Sequence, residues 1–273
     1  MSPRKPKLKL SAEQKRQWAS DGYLHVPGVL SPPEVKHYTR VVDRFYRTHL
    51  KRNEDVHPSG IMLHRNAMED SDVFVELIDY LPLFDMVVER LGPYIQLSMS
   101  EIVVRAPSPH FKGFVHTDGG PAMRHIRPTE TSWPLQLKVQ YFLTNVSKPD
   151  SGNFVFFPGS HLRPFPVGQG SISVDTPGTV QLCVKAGDVV IFPHSLWHGA
   201  APNRTRRARK TLIYCYNQMC LRPYDFEKAT PELLERCTPR QRRLLGDLGR
   251  EYLPGAYFVP PPDHVEVISG KSG

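Results

Sequence analysis

The apolar period of this chain changes at Gly92, and that change restricts the fold more than any other feature. Upstream, Val35, Tyr38, Val41, Val42 and Phe45 recur at helical spacing after the helix-starting run Ser31-Pro32-Pro33-Glu34. Ser11 and Gln14 form a capping-box pattern that predicts a helix to about Ser20. Asp21-Gly22 then turns the chain into a short strand over 23–26. Another helical region spans about Ser71 to Leu91, broken near Pro82 and stopped by Gly92. Downstream the period is two. Ile95, Leu97, Met99, Glu101, Val103 and Arg105 alternate with a second set, predicting a strand whose first set faces a core. Leu137, Val139, Tyr141 and Leu143 repeat the pattern. Short runs at 154–157, 179–184, 188–192 and 209–217 follow, separated by turns such as Pro158-Gly159 and Ala186-Gly187-Asp188.

Helices first, then many short strands with no helix between them, predict a mainly β protein with flanking helices. A double-stranded β-helix, the jelly-roll or cupin-like barrel, is the natural closure because it protects strand edges. Residues 222–253 return to charged, helix-like sequence with Pro231 and Pro239. No internal repeat or low-complexity linker divides the chain. One domain is expected over 11–273, after a basic flexible tail over 1–10.

Lys and Arg total 35 against 27 Asp and Glu, a net charge of +8. The excess is concentrated in two places: Arg4, Lys5, Lys7 and Lys9, and then Arg204, Arg206, Arg207, Arg209 and Lys210. Neither stretch carries interleaved aromatics that could stack bases, so a small-molecule partner is expected and a nucleic acid is not. A macromolecular substrate, nucleic acid or protein, met through the 204–210 cluster is the alternative, and a non-catalytic jelly-roll binding protein a second one. No apolar run approaches the roughly 18–20 residues that span a bilayer, so no membrane partner is expected. The basic start has no apolar stretch after it, unlike a secretory signal. Cys183, Cys215, Cys220 and Cys237 form no CxxC pair and read as reduced thiols, which makes a cytoplasmic location the expectation.

The chemistry-bearing signal is His116-Thr117-Asp118, followed by Gly119-Gly120. Alternate residues of an extended segment point the same way, so an imidazole and a carboxylate can converge. His198, in GDVVIFPHSLWHG, supplies a third ligand, with His194 as its rival. Two His and one carboxylate on one face of an ion, the opposite face open, is the arrangement of non-haem Fe(II) oxygenases. Arg209, eleven residues after His198, offers a bidentate fork for the far carboxylate of a keto-acid cosubstrate.

These pieces together resemble the phytanoyl-CoA dioxygenase family of Fe(II)/2-oxoglutarate oxygenases. The resemblance rests on HTD at 116–118, SGNFVFFPGSH at 151–161, AGDVVIFPHSLWHG at 186–199 and Arg209 after PNRTRRA, in that order. It covers roughly residues 11–220. It implies that His116, Asp118 and His198 hold Fe(II), with His198 preferred over His194 because Gly199 follows it. It implies that Arg209 pairs with the distal carboxylate of 2-oxoglutarate, and that Arg105 contacts the same cosubstrate. Gln140 and Tyr141, on the strand after the HTD loop, are candidate cofactor-pocket residues, and His161 is expected to hydrogen-bond locally. An aspartate at 118, where related halogenases carry a small residue, favours hydroxylation with O2 as co-reactant and release of succinate and CO2. Arg65, Arg124, Arg127 and Trp133 are candidate substrate contacts, and 62–66 and 219–258 candidate lid segments.

Overall fold

The computed structural model describes residues 7–52, 56–57, 60–126, 128–166, 168–251, 253–256 and 259–270. Helix α1 (Ala12–Asp21) opens on the expected capping box, with Ser11 Oγ accepting from Gln14 N–H and Gln14 Oε1 from Ser11 N–H. Strand β1 (Leu24–Val26), helix α2 (Pro32–Arg52) and strands β2 (Val56–His57) and β3 (Ile61–Arg65) follow. The helical region ahead of Gly92 resolves into α3 (Ala67–Asp70), α4 (Asp72–Val75) and α5 (Leu81–Leu91). Pro82 sits in the first turn of α5, where its missing N–H costs nothing. Then come β4 (Ile95–Arg105), β5 (Phe114–His116), α6 (Gly120–Arg124), β6 (Gln136–Phe142), β7 (Phe154–Phe156), β8 (Val180–Leu182), β9 (Val189–Pro193), β10 (His198–Ala200) and β11 (Arg209–Gln218). Short helices α7 (Pro231–Glu235), α8 (Pro239–Leu244) and α9 (Pro262–Ile268) complete the chain.

Among the described residues the strands pair antiparallel into two sheets. One runs β1-β9-β6-β11-β4-β3-β2, the other β5-β10-β7-β8. The jelly-roll arrangement expected from the strand-rich second half is therefore present. One face of the large sheet packs under the helices, where Leu97, Val139, Tyr141, Tyr214 and Phe84 belong to one buried cluster. The other face looks toward the small sheet. Phe142, Phe154, Phe156, Val190 and Phe192 fill one end of that space, and the other end stays open as a pocket.

Strand β4 departs from simple alternation. Cys215 pairs with Met99 and Tyr216 with Leu97, so Ser98 is an extra residue, a β-bulge. Ile95 and Leu97 face the helix-covered core, as expected of the first set. Beyond the bulge that set, Met99, Glu101, Val103 and Arg105, lines the pocket, and Ile102 and Val104 enter the core instead.

The tail expected over 1–10 is docked where it is described. Leu10 is buried, Leu8 N–H donates to Pro82 O, and Lys7 pairs with Asp85 at 2.9 Å. The alternation Lys-Leu-Lys-Leu turns both leucines toward the helix-covered core and both lysines outward. Residues 1–6 lie outside the described residues.

The Ala186-Gly187-Asp188 turn works through its carboxylate. Asp188 accepts from Gly28 N–H at 2.9 Å, Lys185 N–H at 2.8 Å and His25 Nε2 at 2.9 Å, tying β1 to the start of β9. Burial pushes this carboxyl up, but the two amides and His25 outweigh it and hold it below the ordinary value. A depressed folded-state value means stabilisation that is present above about pH 4 and lost as the pH falls through the folded value. Asp188→Asn is expected to cost about 2 kcal/mol at pH 7 by denaturant titration. The gap to the parent protein should close below about pH 4, and a gap that stays constant with pH would contradict this account.

Candidate metal centre

Strand β10 lies between β5 and β7, with His198 directly opposite His116. That register brings the two imidazoles to a ring separation of 4.7 Å. Asp118, two residues beyond His116, places Oδ1 3.5 Å from His116 Nε2 and Oδ2 3.4 Å from His198 Nε2. One donor atom from each of the three lies within 4.8 Å of the others. His198 Nδ1 donates to Leu196 O at 2.8 Å, which leaves Nε2 as a lone pair facing the cluster. Burial, only partly countered by Asp118, pushes His198 down to about 3 and keeps it neutral, as ligation requires. Asp118 is held well below the ordinary carboxylate value although burial alone would raise it; the Lys138 ammonium is chiefly responsible. Its Oδ2 is buried without a hydrogen-bond partner. A bare, buried carboxylate oxygen beside the His198 imidazole, with the His116 ring against the other oxygen, is a donor set that suits a divalent cation and makes poor sense without one.

The turns around the cluster explain several motif residues. A Cβ on Gly199 would fall 1.8 Å from Phe114 O, so the residue after His198 must be glycine for β10 to close on β5. Ser160 Oγ, in the PGSH turn, accepts from Trp197 N–H and steadies the approach to His198. His194 stays outside the cluster: its carbonyl accepts from Asp118 N–H, and its Nδ1 accepts from Gln136 N–H. His161 does not make the expected local bond through Nδ1, which is buried and unpartnered; its ring packs on Gly22.

The pocket beside the cluster has a volume of about 890 Å³. Arg105 and Arg209 are paired residues on β4 and β11, both buried, and both line it. Arg209 is aimed by its own contacts: Nε donates to Gly152 O at 2.9 Å and Nη1 to Thr211 Oγ1 at 2.6 Å. Gly152 presents that carbonyl from a φ of +75°, which only glycine adopts readily, and this gives the SGN segment its role. Burial pushes Arg105 down to about 10, with Glu101 opposing; burial and then Arg105 lower Arg209 as well. Two desolvated guanidiniums side by side form a site for a carboxylate. Asn203 braces the pair by donating to the carbonyls of Arg105 and Arg207, a role that no sequence signal announced.

Strand alternation sorts the remaining candidates. Gln136, Lys138 and Gln140 face the pocket, whereas Tyr141 turns its ring between Tyr80 and Tyr214 in the core. Tyr141 is therefore no pocket wall, because adjacent residues of a strand cannot share a face. Trp133 is also corrected: it lies outside the pocket, half-exposed on Gly92 at the end of α5. Arg124 lines the pocket, but its guanidinium is occupied by Thr117 Oγ1, Gln169 O and Gly170 O. Arg127 lies outside the described residues. Arg65 stands at the mouth, 3.5 Å from Glu101 and 5.1 Å from the centre of the Tyr224 ring. Of the two lid segments, Leu63 and Arg65 from one and Arg222, Pro223 and Tyr224 from the other reach the pocket. In the basic cluster, Arg204 pairs with Asp150, Lys210 with Asp43, and Arg209 is internal. Arg206 and Arg207 make no ion pair among the described residues.

A family model described as phytanoyl-CoA dioxygenase (PhyH) matches residues 18–211, which contain the whole cluster and both arginines. The chain belongs to this family. Among curated relatives, this PhyH member is 26% identical over 159 residues to dioxygenase cdmA of Talaromyces verruculosus, covering 50% of this chain and 52% of that protein. It thus spans about half the length of that relative. It is 22% identical over 265 residues to the peroxisomal phytanoyl-CoA dioxygenase of Bos taurus, covering 83% and 74% of the two chains. HygX from Streptomyces hygroscopicus, solved with nickel and 2-oxoglutarate, superposes with a TM-score of 0.65 at 20% identity, over 82% of this chain and 94% of that one. The epimerase SnoN, in complex with Fe3+, alpha-ketoglutarate and nogalamycin RO, gives a TM-score of 0.58 at 24% identity, over 76% and 82%. These likenesses establish the shared jelly-roll fold.

Proposed function

We propose that this PhyH member is an Fe(II)/2-oxoglutarate-dependent dioxygenase that hydroxylates a small organic substrate. The observation that carries the reading is the facing of His116, Asp118 and His198 against the buried Arg105–Arg209 pair across one pocket. His116, Asp118 and His198 would hold Fe(II), which when bound supplies the O2 chemistry that couples decarboxylation of 2-oxoglutarate to substrate oxidation. The balanced reaction is substrate C–H plus 2-oxoglutarate plus O2 to C–OH plus succinate plus CO2.

The chain's own residues bind and orient. Arg209, fixed by Gly152 and Thr211, takes the distal carboxylate of 2-oxoglutarate, with Arg105 beside it. Gln140 is on the same wall. Phe114, Phe154 and Phe192 pack against the two histidines and keep bulk water from the cluster. The mouth, with Leu63 and Tyr224 beside Arg65, admits the substrate and selects one with both apolar and anionic parts. HygX and SnoN, solved with hygromycin B and nogalamycin RO, support a small molecule as substrate. Among the described residues no helix is long and apolar enough to cross a membrane. Free thiols at Cys183, Cys215, Cys220 and Cys237 fit a reducing compartment, and we place the protein in the cytoplasm.

Anaerobic addition of Fe(II) and 2-oxoglutarate to metal-free protein tests this reading. A weak visible charge-transfer band is expected in the parent protein. Arg209→Ala should need roughly a hundredfold more 2-oxoglutarate to develop it, because a buried bidentate carboxylate contact is lost. No band at saturating ligand in the parent protein would refute the assignment.

A further inference from the structure

Lys138 belongs to neither the three donors nor the arginine pair, yet it occupies the centre of the large sheet within the pocket. An ammonium buried in the middle of a sheet is costly unless a fixed anion answers it. The answer is Asp118: Lys138 Nζ donates to Oδ1 at 2.8 Å, with both side chains largely shielded from solvent. The two oxygens of Asp118 are therefore unlike. Oδ1 is held by a cation from the opposite sheet and lies 3.5 Å from His116 Nε2, whereas Oδ2 is buried and bare, 3.4 Å from His198 Nε2. The backbone of the same residue is fastened separately, Asp118 N–H donating to His194 O at 3.0 Å. Each donor thus has its own restraint: His198 through Leu196 O, Asp118 through Lys138, and His116 through packing between the rings of Phe114 and His198.

We propose that Lys138 is a positioning residue for the metal centre, gripping Asp118 Oδ1 so that a divalent cation receives Oδ2 alone. The proposal rests on the metal-binding reading above. One-oxygen ligation has a use: a carboxylate free to chelate with both oxygens would occupy a coordination position that the bidentate cosubstrate needs.

Charge and position make opposite predictions for this lysine. A bare ammonium beside a metal site repels a dication, so acting only as a charge, its removal would tighten metal binding. As an orienting partner of a ligand, its removal loosens binding, typically by 10–100-fold. Metal-free protein is titrated with Co(II), without 2-oxoglutarate, following the visible ligand-field bands for affinity and coordination. Lys138→Met is expected to bind Co(II) roughly 10–100-fold more weakly, with altered band shape, and Lys138→Arg, which keeps a donor of sufficient reach, to stay near the parent value.

Unchanged or tighter binding by Lys138→Met, with an unchanged spectrum, would overturn the proposal. If Lys138→Met does not fold by circular dichroism, Lys138→Gln takes its place; its amide stops short of Oδ1 and the same loss is expected. A parent protein that binds no Co(II) would instead defeat the metal-binding reading itself. Normal parent binding with an indifferent Lys138→Met defeats this proposal alone.

Discussion

Asp118→Ala is expected to lower substrate-dependent succinate formation by roughly a thousandfold or more, about 4 kcal/mol of barrier. The substitution removes the carboxylate donor of the cluster and leaves two imidazoles, a far weaker cation site. It has a second effect that a simple ligand loss would lack. Lys138, 2.8 Å away and shielded from solvent, is left as a buried charge without its partner. Breaking such a pair costs about 3 kcal/mol, so the variant should also melt well below the parent protein. Adding Lys138→Met removes the orphaned charge. The double variant Asp118→Ala/Lys138→Met should regain most of the lost stability while remaining inactive and unable to bind metal. Thermal unfolding beside a succinate assay separates the two effects. An Asp118→Ala protein with full coupled turnover would remove Asp118 from the centre.

Gly199→Ala is expected to be nearly as damaging, from one methyl group. Gly199 lies on the central strand of the small sheet, paired with Val115 on one side and Val155 on the other. Its added Cβ would lie 1.8 Å from Phe114 O, and the obstruction is backbone, which cannot rotate away. The strands carrying His116 and His198 would have to separate. Forced overpacking of this kind costs about 3 kcal/mol. Metal affinity should fall even in the fraction that remains folded, because the two imidazoles are aligned by that pairing. A variant with parental melting temperature and Co(II) affinity would show that β5 and β10 can part without consequence.

Much of this site was legible from the chain. His116, Asp118, His198 and Arg209 stand out by residue type and order together with the family resemblance, and the structure brings them to one pocket. The alternation after Gly92 located β4, β6 and β11, because a sheet with one face under helices imposes a strict period. The same period separates Gln140 from Tyr141 on β6, since strand neighbours face apart, and puts Lys138, two residues from Gln140, on the pocket wall. A lysine set into Leu137-x-Val139-x-Tyr141 is the signal that a polar pocket backs this strand. Other features were out of reach. Nothing in the sequence fixes the extra residue in β4, since bulges arise from pairing between distant strands. The capture of Arg124 by Gln169 O and Gly170 O likewise depends on a contact between loops about 45 residues apart. Leu8 and Leu10, two leucines among lysines, carry too little apolar surface to announce a docking site.

Ser98 ties together two properties that usually change independently. Its carbonyl and hydroxyl both accept from Tyr224 N–H, and Asp225 reaches back to the amides of Ser100 and Asn66. The segment that frames the entrance is therefore pegged to a residue with no strand partner of its own. A shortened chain lacking it would keep Met99 facing the pocket and Leu97 facing the core, since the partners on β11 already match without it. The bonds from Tyr224 and Asp225 N–H to Ser98 would be lost, and those of the Asp225 carboxylate to Ser100 and Asn66 would remain. In the history of such a protein, a single-codon deletion there could reshape what enters the pocket while the reaction machinery is inherited intact. Diversity in what the pocket admits can thus accumulate faster than diversity in the residues at its floor.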